Sequence, residues 1–436
     1  MSQSNNLEND YRTNLRKFNF KVRDIQYVFI GHTHLDHVGL LPLLVKRGLE
    51  CPIIVPDGAR RILKDMLTDS AMILYKEAET LSLRRNKIVE PVYTINDVNA
   101  ALQLVEEFPF DKVIKLNDHI KFRYVNSGHI ICGAQIELWF TEGSTTKKLL
   151  YTSDLGNYNI EKYYVPRFEP VAKADVVIGE STYAAKGRPQ ATLAQREKDK
   201  EKIKSIIIET CVYNKSKVLI PCFALDRLQE VLTEIYNLFK DEDFKIPVIV
   251  DTPLGLRYTK SYFHILSEEK SQLLKSALEW RNVIQVGDYP ESKHWAEENQ
   301  PCVILASSGM LNAGRALVYA PKILSNYKNH IIFIGYASEG SLAWKIKNDK
   351  TKKWLDIGGE KCRNNCAITS LHSYSSHMQY KGLLHYYSTI QCNTIILVHG
   401  RVEDKAEFAV DLSKEFNKQA KSTRIIISNK SLVYKV

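Results

Sequence analysis

Ile25-Gln26-Tyr27-Val28-Phe29-Ile30-Gly31-His32-Thr33-His34-Leu35-Asp36-His37 is the stretch on which the fold reading turns. Ile25 to Ile30 is a mostly apolar run of strand length, Gly31 ends it, and Val38 to Arg47 follows with the pattern of an amphipathic helix. Four side chains able to bind a metal therefore sit on one turn. His32 and His34, at alternate positions of an extended segment, can point the same way, whereas Asp36 and His37 open a helix and project differently. One turn can thus serve two adjacent metals, and imidazole nitrogen with carboxylate oxygen suits zinc at about 2.0–2.2 Å. The competing reading is a chance cluster of polar loop residues.

Three isolated residues further on occupy matching places, each at the end of an apolar strand. His129 lies in Asn126-Ser127-Gly128-His129-Ile130, where Gly128 permits a sharp turn after Lys121 to Val125. Asp154 closes Leu149-Leu150-Tyr151-Thr152-Ser153-Asp154, and His399 follows the run Thr394 to Val398. Taken singly, each could be a hydrogen-bonded residue at a strand end. Taken with the first motif, they read as the remaining ligands.

Elsewhere, short apolar runs alternate with amphipathic segments, the rhythm of an α/β protein. Lys121 to Val125, Ala134 to Phe140 and Lys148 to Thr152 read instead as consecutive antiparallel strands, so the first region carries a mixed sheet. From about Ala185 the alternation becomes regular: a helix from Leu193, a strand Val218 to Ile220, a helix Leu225 to Phe239, a strand Pro247 to Val250. That regularity predicts a parallel-sheet domain. The expected division is 1–183, 184–368 and 369–436, the outer two forming one domain and the middle one inserted.

The 436 residues, 44% of them hydrophobic and 25% charged, suffice for two cores. The polar stretch Met1 to Asn19 lacks a signal-type apolar region and no later run approaches membrane-span length, so a soluble, cytoplasmic protein is expected. The eight cysteines suit a reducing compartment. Of these, Cys362 and Cys366 are a close pair without a second pair nearby, and are read as free thiols. Sixty Lys and Arg against 50 Asp and Glu give a formal charge of +10, which attracts polyanions such as nucleic acid. The densest basic run, Lys345 to Lys353, is read as a solvated helix end and loop.

In its motifs the chain resembles the β-CASP group of metallo-β-lactamase-fold proteins, a family of RNA-processing nucleases. The resemblance rests on His32 to His37 as the HxHxDH signature, His129, Asp154, Glu180 in Gly179-Glu180-Ser181-Thr182-Tyr183, Tyr374-Ser375-Ser376-His377 and Val398-His399-Gly400. Ala306-Ser307-Ser308-Gly309-Met310 with Gly314-Arg315, and Phe333-Ile334-Gly335-Tyr336 with Glu339-Gly340, are also similar. The match runs from about Asp24 to the C-terminus. It implies an αββα sandwich with an inserted Rossmann-like β-CASP domain. It also implies two zinc ions per chain, one on His32, His34 and His129, the other on Asp36, His37 and His399, with Asp154 bridging. The implied reaction is hydrolysis of phosphodiester bonds in single-stranded RNA by a hydroxide activated between the metals, in endonuclease or 5′-exonuclease mode. Asp36 and His377 are the implied catalytic residues, His377 touching the scissile phosphate or protonating the leaving oxygen. Glu180 is expected to orient a metal-ligand histidine, and Ser307, Ser308, Gly309 and Arg315 to hold RNA phosphate. The implied partner is single-stranded RNA threading between the two domains, with no membrane and with a homodimer left open.

Some features depart from the family pattern. No strand pair and no aspartate motif fit ahead of His32, so the sandwich is expected to lack its first strand pair. Gln379 and Arg401 replace acidic residues, and Asp226 stands where glycine is common. These departures motivate an alternative, a weakly active or inactive RNA-binding scaffold of the same fold. Hydrolysis of a small thioester or lactam is a third reading, disfavoured by the large insertion.

Overall fold

The apolar run ahead of Gly31 forms a short strand, Val28–Phe29, parallel to Ile53–Pro56, which is in turn parallel to Val105–Phe108. The computed structural model describes residues 1–2, 6–189, 191–335, 337–349 and 354–429. Tyr336 and Lys350 to Lys353, singled out in the sequence, lie outside them. The strand is shorter than its apolar pattern because the Ile25 amide is taken by the Val22 carbonyl, closing a helical turn at Val22–Asp24. The helix expected over 38–47 is two pieces, Leu35–Val38 and Leu41–Lys46. Pro42, which has no amide hydrogen, sits in the first turn of the second piece, where none is needed.

The chain divides into two compact units. Residues 1–158, 165–188 and 376–436 form the first. Its larger sheet has seven strands in the order Arg424–Ile427, Thr394–Val398, Val176–Glu180, Thr145–Tyr151, Ala134–Glu142, Ile120–Asn126, Ile114–Lys115. The strands between 114 and 151 pair antiparallel, as the hairpin pattern predicts, and the remaining pairs are parallel. Ile54 of the small sheet packs with Phe122, Tyr124, Ala134 and Ile136 of the large one, and the Tyr124 hydroxyl donates to the Ile54 carbonyl at 2.8 Å. Helix Ala59–Arg85 contacts the small sheet. On the large sheet's other side, Leu150, Val177, Ile395 and Leu397 pack with Tyr387 of helix Tyr380–Thr389 and Phe408 and Leu412 of helix Val402–Lys418. The layers are therefore helix, sheet, sheet, helix. Among the described residues no strand precedes Val28; the segment ahead holds the helix Leu7–Asn14.

Residues 159–164 and 189–375 form the second unit. Its six-stranded sheet runs Val283–Gln285, Val248–Asp251, Val303–Ala306, Val218–Pro221, His330–Phe333, Ala367–Ser370, and every pair is parallel. Both faces are covered, so the inner strands read as unbroken apolar runs. Val218, Val248 and Val303 face one core while their neighbours Leu219, Ile249 and Ile304 face another. All eight cysteines are free. Among the described residues no helix is long and apolar enough to cross a membrane.

Candidate metal centre

His32, His34, His129, Asp154 and His399 lie in the segments that follow strands, Asp36 and His37 in the short helix Leu35–Val38, and the backbone at several of these turns is unusual. Gly31 lies so close to Ser153 that a Cβ on it would stand 2.3 Å from the Ser153 hydroxyl, so only glycine lets the first ligand turn meet the Asp154 loop. Gly128 takes φ +70° ahead of His129, as the turn there demands. Ser153 and His399 also adopt left-handed backbone, at φ 52° and 50°.

Two groups of donors result: His32, His34, His129 and Asp154 in one, and Asp36, His37 and His399 in the other. His34 Nδ1 lies 3.1 Å from His32 Nε2 and 3.2 Å from His129 Nε2. The His129 Nδ1–H donates to the Ser376 carbonyl at 3.1 Å, which leaves Nε2 as a lone-pair nitrogen. Three imidazole nitrogens thus converge where a single proton cannot satisfy them all. Asp154 Oδ2 is 3.6 Å from His32 Nε2, 3.7 Å from His129 Nε2 and 3.5 Å from His37 Nε2, so one oxygen borders both groups. Asp36 Oδ2 is 3.6 Å from His37 Nε2 and 3.4 Å from His399 Nε2. Ligand atoms about 2.1 Å from a tetrahedral ion stand about 3.4 Å apart, so these spacings fit a metal in each group.

Charge and burial agree with that chemistry. Burial, helped by the neighbouring His37, keeps the His32 imidazole well below its ordinary pKa, and burial with His377 does the same to His129. Burial also lowers His34, so the three present neutral nitrogens, the form that coordinates. Burial works against charge on Asp154, yet the surrounding histidines outweigh it and hold its carboxyl well below the usual range. Burial likewise opposes protonation of His399, but Asp36 and Asp154 push it up to about 9. His32 and His129 are fully buried, whereas the Asp36 and His399 side chains are 54% and 35% exposed, so the cluster opens to solvent on that side.

Behind the donors stands a layer the sequence did not reveal. Ser153 Oγ is 3.0 Å from His32 Nδ1, and Thr182 Oγ1 is 2.6 Å from His399 Nδ1. Hydroxyls are common in loops, and nothing in their spacing singles these two out. Glu180 differs from expectation: it accepts from the Leu155 and Thr182 amides at 3.0 and 2.8 Å, and its nearest histidine is His377, 3.5 Å away at Nδ1, rather than a ligand histidine. It fixes the loops that carry Asp154 and Thr182. His377 lies beside the cluster, its ring 4.6 Å from that of His129, without joining either donor group.

The expected phosphate-holding residues lie in the second unit. There the Ser308 amide donates to the Ala313 carbonyl and the Ala316 amide to the Ser307 carbonyl, closing the turn on itself. Gly309 abuts Phe223. The Arg315 guanidinium donates to Ser292 Oγ at 2.5 Å, approaches Asp251 at 3.8 Å and lies over the Tyr289 ring. These partners occupy the Ser308 amide and much of the Arg315 side chain within the unit. Gln379 and Arg401 each stand immediately before a helix, and Arg401 Nε is 3.8 Å from Asp404.

Residues 3–116 match the metallo-β-lactamase superfamily, 228–346 the Beta-Casp domain, and 363–423 the Zn-dependent metallo-hydrolase RNA specificity domain. The chain belongs to the metallo-β-lactamase superfamily and carries a Beta-Casp domain. It is 27% identical over 413 residues to the transcription termination factor FttA of Methanocaldococcus jannaschii, covering 92% of this chain and 62% of that protein. An RNase J-like protein of the same organism is 27% identical, covering 89% of this chain and 85% of its own length. The ribonuclease TTHA0252 of Thermus thermophilus is 27% identical over 88% of this chain and 84% of its own length. The chain thus spans about three-fifths of the FttA protein. A β-CASP protein with this His and Asp cluster is built to hold a metal cofactor.

Proposed function

We propose that this β-CASP protein is a zinc-dependent ribonuclease that hydrolyses phosphodiester bonds of single-stranded RNA, with two zinc ions per chain. The observation that carries it is the Asp154 oxygen that lies 3.5–3.7 Å from histidines of both donor groups, a position from which one carboxylate could serve two ions. His32, His34 and His129 would hold one ion, Asp36, His37 and His399 the other, and Asp154 both. Bound zinc lowers the pKa of coordinated water from 15.7 to about 7 and offsets charge on phosphate oxygens. Ser153, Thr182 and the Ser376 carbonyl hold the ligand imidazoles in orientation. Asp36 lies on the exposed side of the cluster, where a phosphate could reach it. His377, with Nδ1 toward Glu180, would protonate the leaving oxygen. The ribonuclease names of two relatives support the reaction class, and the RNA specificity domain supports the substrate.

Single strands are favoured over duplex for a physical reason. A paired A-form helix holds its phosphates on a stiff surface, whereas a single strand bends to bring one phosphate to the metals. The net charge of +10 adds counterion release, with a slope of about −0.7 per phosphate contacted. One 5′-labelled RNA, alone and annealed to its complement, would be incubated with purified protein at two salt concentrations, with and without chelator. Cleavage of the single strand that chelator abolishes is expected. Equal rates on both forms would remove the strand preference, and no cleavage by zinc-loaded protein would overturn the proposal.

A further inference from the structure

We infer that the segment from Arg16 to Arg23, together with Arg47, forms a second RNA-contacting site on the first unit, which stacks an unpaired base and binds its flanking phosphates. It contains none of the residues of the metal centre, and it rests on the reading of RNA as the substrate. A recess of about 500 Å³ opens there, lined by Lys17, Phe18, Phe20, Lys21, Arg23 and Arg47. That volume falls in the range of small-ligand pockets, roughly 300–1,000 Å³. Asp24 also lines it and is the only carboxylate among the lining residues.

The arrangement is ordered by its own contacts. The Phe18 and Phe20 rings stack at 5.1 Å and 12°. The Arg47 guanidinium lies 4.9 Å from the centre of the Phe18 ring and donates to the Leu15 and Arg16 carbonyls at 2.8 and 2.9 Å, so both its charge and the loop are fixed. Phe20 at the same time remains 49% exposed. A stacked pair of phenyl rings, braced by a guanidinium and half open to solvent, is a platform that a third flat ring can extend.

Charge selects the occupant. Lys17, Lys21 and Arg23 are exposed, and none of them forms an ion pair among the described residues. Four cations against one carboxylate leave the rim strongly positive, which suits a polyanion. An acidic peptide offers charge without a flat face for Phe20, and duplex offers phosphates with its bases already stacked internally. Single-stranded RNA supplies both an unstacked base and phosphates on either side of it.

The test measures anisotropy of a labelled single-stranded phosphorothioate RNA, which resists cleavage, with zinc-loaded protein over a range of salt. Phe20→Ala should weaken binding about tenfold and Phe20→Trp should not, because base stacking on an aromatic ring survives in the second. Lys17→Gln combined with Lys21→Gln should reduce the salt slope by about 1.4, or about 0.7 for each phosphate no longer neutralised. These side chains are exposed, and thermal melting of each variant checks that the fold is kept. Wild-type affinity and slope in both the Phe20→Ala and the double-lysine variants would overturn the site while leaving the ribonuclease reading standing. Displacement of RNA by polyglutamate as readily as by unlabelled RNA would overturn it too, since charge alone would then suffice. Failure of the wild-type protein to bind RNA at all would overturn both.

Discussion

Thr182 holds His399 from behind, with Oγ1 2.6 Å from Nδ1, while the other ring nitrogen faces Asp36. Groups that orient a metal ligand in this way typically carry a 10–100-fold effect on metal affinity. Thr182→Val is therefore expected to lose zinc to a competing chelator at about 10–100-fold lower chelator concentration than wild type, and Thr182→Ser to restore retention. Equal retention in all three would show that the hydroxyl does not hold the ring. Asp154 and His377 should fail differently. Asp154→Ala removes the oxygen that borders both donor groups and should lose metal. His377 belongs to neither donor group, so His377→Ala should keep its zinc while cleaving about 10²–10⁴-fold more slowly. Metal analysis beside single-turnover cleavage separates the two, and equal zinc loss would contradict the assignment. At this scale the donors were legible, since imidazoles and carboxylates at strand ends have few other reasons to recur. Ser153 and Thr182 were not, because their role depends on a contact across 121 residues in one case and 217 in the other.

The helix Arg227–Phe239 shows where element-level reading succeeds and where it stops. Its apolar periodicity announced a helix beginning near Leu225, and Leu228, Val231, Leu232 and Ile235 do fill the core. Asp226 before it takes φ 70°, a backbone suited to the glycine expected there, and its carboxylate accepts from Lys162 at 3.1 Å. Sequence did not announce that Glu230 and Glu234 would be buried on the same helix. Arg196 reaches Glu234 at 3.2 Å and Glu230 at 3.8 Å, while the Tyr164 amide donates to Glu230. Burial, with the Asp226 charge adding to it, pushes the Glu230 carboxyl up to about 7 against the opposing pull of Arg196 and Lys162. Between its ordinary value of 4.5 and about 7 the folded state then holds a proton that the unfolded chain has released. This group's contribution to stability is full below 4.5 and falls as pH rises through that window. Glu230→Gln keeps an oxygen for the Tyr164 amide and cannot ionise. Denaturant unfolding at about pH 5 and about pH 7.5 should show wild type losing on the order of 1–3 kcal/mol more than the variant across that interval. Equal pH dependence would show that Glu230 does not titrate there.

For the whole molecule, the sequence changes rhythm near residue 185, and the unit formed by residues 159–164 and 189–375 has a six-stranded sheet that is wholly parallel. Strand order was not legible in the sequence. Val218–Pro221 lies between Val303–Ala306 and His330–Phe333, pairings fixed by packing across more than 80 residues rather than by any local pattern. The same long reach governs the metal centre, whose donors run from His32 to His399 and all belong to the first unit, with none in the second. Converging imidazoles and carboxylates cost free energy to bring together, and a cation that binds only the folded state offsets it by mass action. With free metal at about 100 times its dissociation constant that linkage is worth about 2.7 kcal/mol. Chelation is therefore expected to lower the melting transition of the first unit and to leave that of the second in place. Readdition of zinc should restore the first in a concentration-dependent way. Calorimetry with and without chelator resolves the transitions, and hydrogen exchange assigns them by protection at His330–Phe333 of the second unit and Thr394–Val398 of the first. Unchanged melting in both would mean that the donors gather without a metal and would remove the reason for two ions at this centre. Equal shifts in both would mean that the units unfold as one, placing the linkage on the whole chain instead of on the sandwich that carries the ligands.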